Sequence, residues 1–303
     1  MPPAPEEKRK FAPPASGHLL SFIVNLSLLK DPPLPYNAPS RAKEKTMTEP
    51  NAIPYWAQYA AAAAFGLSAL ACRPGRLKAA GPSLLLAGFL LQGWFLLGLG
   101  RSSGIFLPNT IVSLEVFLPW ALAALALLHR FFSDRKDAAH TAVILIFAVA
   151  LLTSLQTRVL AAQGSLVYPP GPMHPVGWVT AFFFTESVAY AAFFMACWFA
   201  LGHLRRRDLP GTFHNYLILS FVLFSLSQVL GAVWSYLGWA VPFHLSSDRH
   251  YNSAAFWLFL ALYLHLRFLP GWPAPRRARL VAIAFIPVLY FRYLAYFLGK
   301  LTS

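Results

Sequence analysis

About eight stretches of this chain are apolar over the roughly 20 residues that a helix needs to cross about 30 Å of hydrocarbon. They are Tyr55 to Cys72, Gly81 to Leu99, Thr110 to His129, His140 to Gln156, Val176 to Leu204, Phe213 to Gly238, Ser253 to Leu269 and Arg279 to Leu298. Inside lipid no water satisfies the peptide groups, so a spanning segment is either a helix or a strand of a closed barrel. These runs are continuous and lack the in–out alternation of barrel strands. The expected fold is all-α, a polytopic transmembrane helical bundle with about eight spans. Composition points the same way: 57% of the 303 residues are hydrophobic and 12% are charged, against about a quarter charged in a soluble domain.

A formal charge of +14 raises the question of nucleic acid, and the distribution of the basic residues answers it. They concentrate in alternate loops. Arg73, Arg76 and Lys78 follow the first run, Arg130, Arg135 and Lys136 the third, and Arg205, Arg206 and Arg207 the fifth, while Arg276, Arg277 and Arg279 precede the eighth. The intervening loops hold Arg101, Arg158 and Arg249. By the positive-inside rule the first set faces the cytoplasm, and the second set lies outside with both termini. Membrane lipid, and no nucleic acid, is the expected surrounding.

Residues 1–46 run against this pattern, with Lys8, Arg9, Lys10, Lys30, Arg41, Lys43 and Lys45 on what should be the outer side. Their one apolar piece, His18 to Leu29, is too short to span and is not followed by a convincing small-residue cleavage site. They read as a disordered extension or as sequence ahead of the true start, with translation expected to begin at Met47. The transmembrane domain then occupies residues 47–303.

Soluble-type catalysis finds no support. The chain has no phosphate-binding loop, nucleophile elbow or dinucleotide fingerprint, and Cys72 and Cys197 form no CxxC or CxxCH motif. No catalytic chemistry of its own is assigned. Ionisable groups inside lipid are costly and are functional candidates. Glu115, Glu186 and Arg292 qualify, and Gln92 joins them as a polar group in the second run. Trp178, Phe182, Glu186 and Tyr190 share one helical face by their spacing of four. An internal Glu-to-Arg ion pair that locks helices is the ordinary reading of these charges, and a ligand pocket is the other.

The stretch GAVWSYLGWAVPFHLSSDRHYNSAAFWLFLALYLHLR, Gly231 to Arg267, has Trp234 and Trp239 leading into an outer loop that holds His244, Asp248, Arg249 and His250, with His265 inside the seventh run. His174 lies in another outer loop. Indoles, imidazoles and a little charge suit a flat macrocycle carrying a metal and carboxylates, because rings stack, histidine ligates and arginine pairs with propionates. Haem b, held non-covalently, fits that description.

Four phrases resemble the membrane family of cytochrome c assembly proteins, the CcsA, CcmC and HemX-like haem-handling group. AGFLLQGWFLLGLG with FLPNTIVSLEVFLPWAL (Ala87 to Leu122) is similar to the family's second and third spans. PPGPMHPVGWVTAFFFTESVAYAAFF (Pro169 to Phe194) is similar to its fifth-span entry. The Gly231 to Arg267 stretch resembles its tryptophan-rich loop, and VAIAFIPVLYFRYL (Val281 to Leu294) its last span. The resemblance implies haem binding or delivery in c-type cytochrome biogenesis at a bacterial inner membrane, with apocytochrome c and other maturation subunits as partners. Of the family's ligand positions His265 alone is matched, marking an inner site; if haem is handled, His174 and His244 are expected to offer axial nitrogens in place of the missing histidines, Trp234 and Trp239 to hold the porphyrin face and Arg249 to meet a propionate. The family's histidines are replaced here by Gln92 and Phe182, and the core of its loop reads FHLSSD at Phe243 to Asp248. A divergent structural or regulatory membrane subunit without haem transfer is the alternative. A transporter of another amphiphile would need inverted repeats and broken helices, which the sequence does not display.

Overall fold

Each apolar run becomes one helix. The computed structural model describes residues 53–71, 80–103, 111–132, 136–162, 176–206, 211–239, 241–242 and 248–294. Residues 1–46, His174 and His244, with the side chains of Trp239 and Arg292, lie outside the described residues. All regular structure within them is helical: α1 Tyr55–Ala71, α2 Gly81–Ser103, α3 Ile111–Phe132, α4 Lys136–Ala162, α5 Val176–Arg206, α6 Thr212–Trp239, α7 Asp248–Leu266 and α8 Ala274–Leu289. A single π turn, Tyr290–Leu294, continues α8.

Four of these helices contain stretches long and apolar enough to cross a membrane: Gly81–Arg101, Glu115–Phe132, Gly177–Arg205 and Thr212–Leu237. α4 adds a shorter apolar stretch, Ala142–Thr157. α1 and α8 have 17 and 16 residues, somewhat under the roughly 20 of a full crossing. By length and composition this is a membrane protein.

α5 is the central helix. It packs against α3, α4, α6 and α8, most extensively against α6, and from Ala189 to Cys197 every side chain is 4% exposed or less. A helix that is apolar all round belongs in such a position. α1 leans on α2 and α4, α3 bridges α2 and α4, and α7 packs on α6 and α8. α6 turns its other side outward, exposing Ile218, Val222, Leu226 and Val229. Their spacing of four and three places them on one face, the face expected to meet lipid.

Lipid is as apolar as leucine, so helices in it associate through close packing and interhelical hydrogen bonds. Both are present. A Cβ at Gly88 of α2 would come 2.5 Å from the Phe65 ring of α1, so the bare glycine is what admits that ring. Gln58 Nε2 donates to Thr157 Oγ1 at 3.0 Å across α1 and α4, and Ser68 Oγ donates to the Gly81 carbonyl at 2.7 Å. Ser220 Oγ reaches the Ala189 carbonyl at 2.9 Å, joining α6 to α5. Such bonds contribute about 0.6 kcal/mol each in a membrane, so packing carries most of the cohesion.

α5, α6, α7 and α8 run antiparallel in succession, which sorts them into two ends. The start of α5, the end of α6 and the start of α7 meet at an aromatic end. The finish of α5, the starts of α6 and α8 and the finish of α7 meet at a basic end.

Candidate functional site at the aromatic end

Glu186 stands one helical turn beyond Phe182 on α5 and is 0% exposed. A carboxylate at that depth needs a cation. Arg249, in the first turn of α7, supplies it: its Nη2 donates to Glu186 Oε2 at 2.6 Å, and its side chain is 22% exposed. The guanidinium also lies over two rings, 4.9 Å from the Phe182 centroid and 4.6 Å from that of Phe183. Partly desolvated cation–π contacts of this kind contribute up to about 2 kcal/mol. One charge is therefore held by a carboxylate and by two aromatic faces.

The third side comes from α6. Trp234 stacks on Phe182 with centroids 5.8 Å apart and planes at 26°, and it meets Phe183 at 6.3 Å. Gly231, one turn earlier, makes room for this: a Cβ there would lie 2.9 Å from Phe182 Cε2. The first and fourth residues of GAVW thus act on the same phenyl ring. Ser235 Oγ donates to the Val241 carbonyl at 2.6 Å and ties down the chain just past the helix. Deeper along α5, Tyr190 stacks on Phe256 of α7 at 4.8 Å and 17°, extending the aromatic packing down the seam.

Trp234, Arg249 and Glu186 are thus brought together, and Phe182 and Tyr190 share their buried face. Trp178, expected on the same face, is 41% exposed and sits where indoles favour the headgroup region. The expected internal ion pair of Glu186 has Arg249 as its cation. Arg292 lies in the π turn after α8. His265 is separate from this cluster. It occupies the far end of α7, roughly 24 Å from Arg249 along the axis at about 1.5 Å per residue. Its ring is exposed, with Nδ1 at 2.8 Å from the Ala261 carbonyl, a bond that puts the proton on Nδ1 and leaves Nε2 unprotonated in the neutral ring. Gln92 and Glu115 form a different buried patch, where Gln92 Nε2 donates to the Val116 carbonyl at 3.1 Å.

Phe183 was not singled out from sequence: it is one residue off the face that holds Phe182 and Glu186, and only the position of Arg249 gives it a role. His250, one of the outer-loop imidazoles, lies beside Arg249 in the first turn of α7 and is partly buried.

Among curated proteins, the cytochrome c biogenesis proteins CcsA of Prochlorococcus marinus strains MIT 9301, MIT 9215 and AS9601 each match 82 residues at 32% identity. The match covers 27% of this chain and 26% of each relative. The chain is locally similar to CcsA proteins. It spans about a quarter of the length of the curated relatives it matches. No family model and no solved structure matches it.

Haem can be tested against these residues directly. The indole and phenyl faces suit a flat apolar ring, and a partly exposed guanidinium suits a carboxylate. Among the described residues no group of three or more His, Cys, Asp or Glu side chains is placed to hold a metal ion. The cluster's rings and guanidinium therefore suit the body and the carboxylates of a haem.

Proposed function

We propose that this chain is a membrane protein of c-type cytochrome biogenesis that receives haem b non-covalently at its aromatic end. One observation carries the reading: Trp234 and Arg249, from separate helices of the Gly231 to Arg267 stretch, converge on Phe182 and Glu186. The local similarity to CcsA proteins gives that convergence its context. In this reading Trp234 and Trp239 contact the porphyrin and Arg249 meets a propionate, exchanging part of its bond to Glu186. His174 and His244 provide axial nitrogens, and His265 marks a second site at the basic end. Bound haem supplies an iron centre; the chain's own residues orient the ring, balance its carboxylates and keep its faces out of water. Attachment belongs to the cysteines of an acceptor apocytochrome, with other maturation subunits as partners. All eight helices cross an inner membrane, with the basic end in the cytoplasm and both termini outside.

A second reading has its own observation. Phe182 stacks directly on Trp234 and fills the space that Gly231 leaves open, so the ring pair is already satisfied from within. On that basis the chain is a structural or regulatory subunit of the same machinery, without haem transfer. An absorption spectrum of detergent-purified protein from haem-replete cells, before and after dithionite, decides between them. Haem handling requires a Soret band, with reduced α and β bands that weaken in His174→Ala or His244→Ala. A colourless preparation sinks it in favour of the second reading.

A further inference from the structure

The basic end holds an arrangement unrelated to the aromatic cluster. Arg267, just past α7, donates from Nη1 to His214 Nε2 at 2.6 Å, and the other ring nitrogen of His214 lies 3.3 Å from Tyr263 Oη. Arginine is always a donor, so His214 accepts at Nε2 and carries its proton on Nδ1, facing the buried Tyr263. That chain of bonds fixes the Nη1 edge of the Arg267 guanidinium. The cations whose fields reach both His214 and Tyr263 are Arg267 and Arg277. Arg277 lies in the first turn of α8, and its Nε is buried with no hydrogen-bond partner. Among the described residues neither arginine meets a carboxylate.

Two cations that act on the same imidazole and phenol favour an anion in their neighbourhood. The surroundings add to the positive field. α8 opens at Pro273 with no side-chain cap and no acidic residue in its first turn, so the positive end of its dipole is uncompensated. The adjoining turn, Phe268 to Trp272, is built for a membrane surface. Phe268 is 81% exposed and Leu269 51%, and Arg276 Nη1 donates to the Gly271 carbonyl at 2.7 Å to brace the turn. Apolar side chains beside guanidiniums match a molecule with acyl chains and a phosphate, the pattern of basic pockets that hold anionic headgroups.

We propose that Arg267 and Arg277, at the seam of α6, α7 and α8, bind the phosphate of an anionic lipid headgroup, with Phe268 and Leu269 against its acyl chains. His214 and Tyr263 position Arg267 and do not touch the lipid.

Native mass spectrometry and thermal unfolding of the full chain test this, with phosphatidylglycerol and phosphatidylcholine added to the detergent in parallel. Phosphatidylglycerol should be retained and raise Tm, and phosphatidylcholine should do so much less. Arg267→Gln with Arg277→Gln should retain phosphatidylglycerol about ten-fold less well, the loss of one charge-assisted bond or more. Arg205→Gln with Arg279→Gln removes the same charge from exposed positions and should leave retention unchanged. If both double variants lose the lipid equally, or neither does, the proposal is wrong. Arg277→Lys keeps the charge without the fork and serves if the first pair does not fold; wild-type retention in that variant counts against a bidentate site. Inorganic phosphate in lipid-free detergent forms the remaining arm. A Tm rise there that the Arg267 and Arg277 variant abolishes, with no added effect of phosphatidylglycerol, assigns the site to free phosphate.

Discussion

Arg249 is held by three partners at once, so its removal should be felt beyond its own side chain. Breaking a buried pair by deleting one partner costs about 3–5 kcal/mol. Arg249→Ala leaves the Glu186 carboxylate at its present depth without the guanidinium, and a drop in thermal midpoint in detergent is expected. Adding Glu186→Gln should restore much of the loss, since the amide does not need a cation there. Equal, additive losses in that double-mutant cycle would show that the two side chains act separately. Gly231 offers a steric counterpart. Gly231→Val drives a side chain into the Phe182 ring, at about 1–3 kcal/mol for overpacking. Phe182→Ala in the same chain should relieve it, measured as coupling between the two midpoints. The sequence made part of this visible: spacing of four aligned Trp178, Phe182, Glu186 and Tyr190, of which the last three are buried and Trp178 is 41% exposed. The identity of Glu186's cation was beyond it. Periodicity reports which face a residue occupies and not which helix, in which register, arrives opposite. That register comes from the ring stacking of Trp234 on Phe182, a contact no spacing rule contains.

At the level of elements, α5 differs from its neighbours in being enclosed on every side. Cys197 lies in its most buried run and donates from Sγ to the Val281 carbonyl of α8 at 3.6 Å. In a Cys72→Ser background Cys197 should resist N-ethylmaleimide until the protein is unfolded in SDS. Prompt labelling in mild detergent would mean that α8 does not cover α5. Phe194 meets Phe285 of α8 at 5.1 Å, edge to face, and Phe194→Ala should cost about 3–5 kcal/mol because the surrounding helices cannot collapse into the gap. The positions of these helices were readable from apolar runs alone, although the ends differ by as many as nine residues, as for the run Arg279 to Leu298 against Ala274–Leu289. The rank order of burial was not. α6 has the most apolar stretch of the four yet displays a full stripe to the outside, because hydropathy counts lipid contact and protein contact alike.

For the molecule as a whole, the two ends divide the chemistry: aromatic rings and the Glu186–Arg249 ion pair at one, arginines and imidazoles at the other. Alternating basic loops predict the direction of this axis. Single cysteines placed at Arg205 and at Val241 should react with a membrane-impermeant maleimide from opposite sides of sealed vesicles. Reaction of both from the same side would contradict the antiparallel course of α5 and α6 in the bilayer. A final consequence concerns synthesis. The bond between Glu186 and Arg249 joins residues 63 positions apart, with the whole of α6 between them. A ribosome releases the carboxylate into the membrane well before its cation exists. Through that interval α5 is a helix with an unmatched acid, dependent on lipid headgroups, water or an insertion factor for its solvation. A chain cut between α6 and α7 should therefore be recognised and degraded, so the arrival of α7 is the moment at which the preceding helices become acceptable to the cell's quality control.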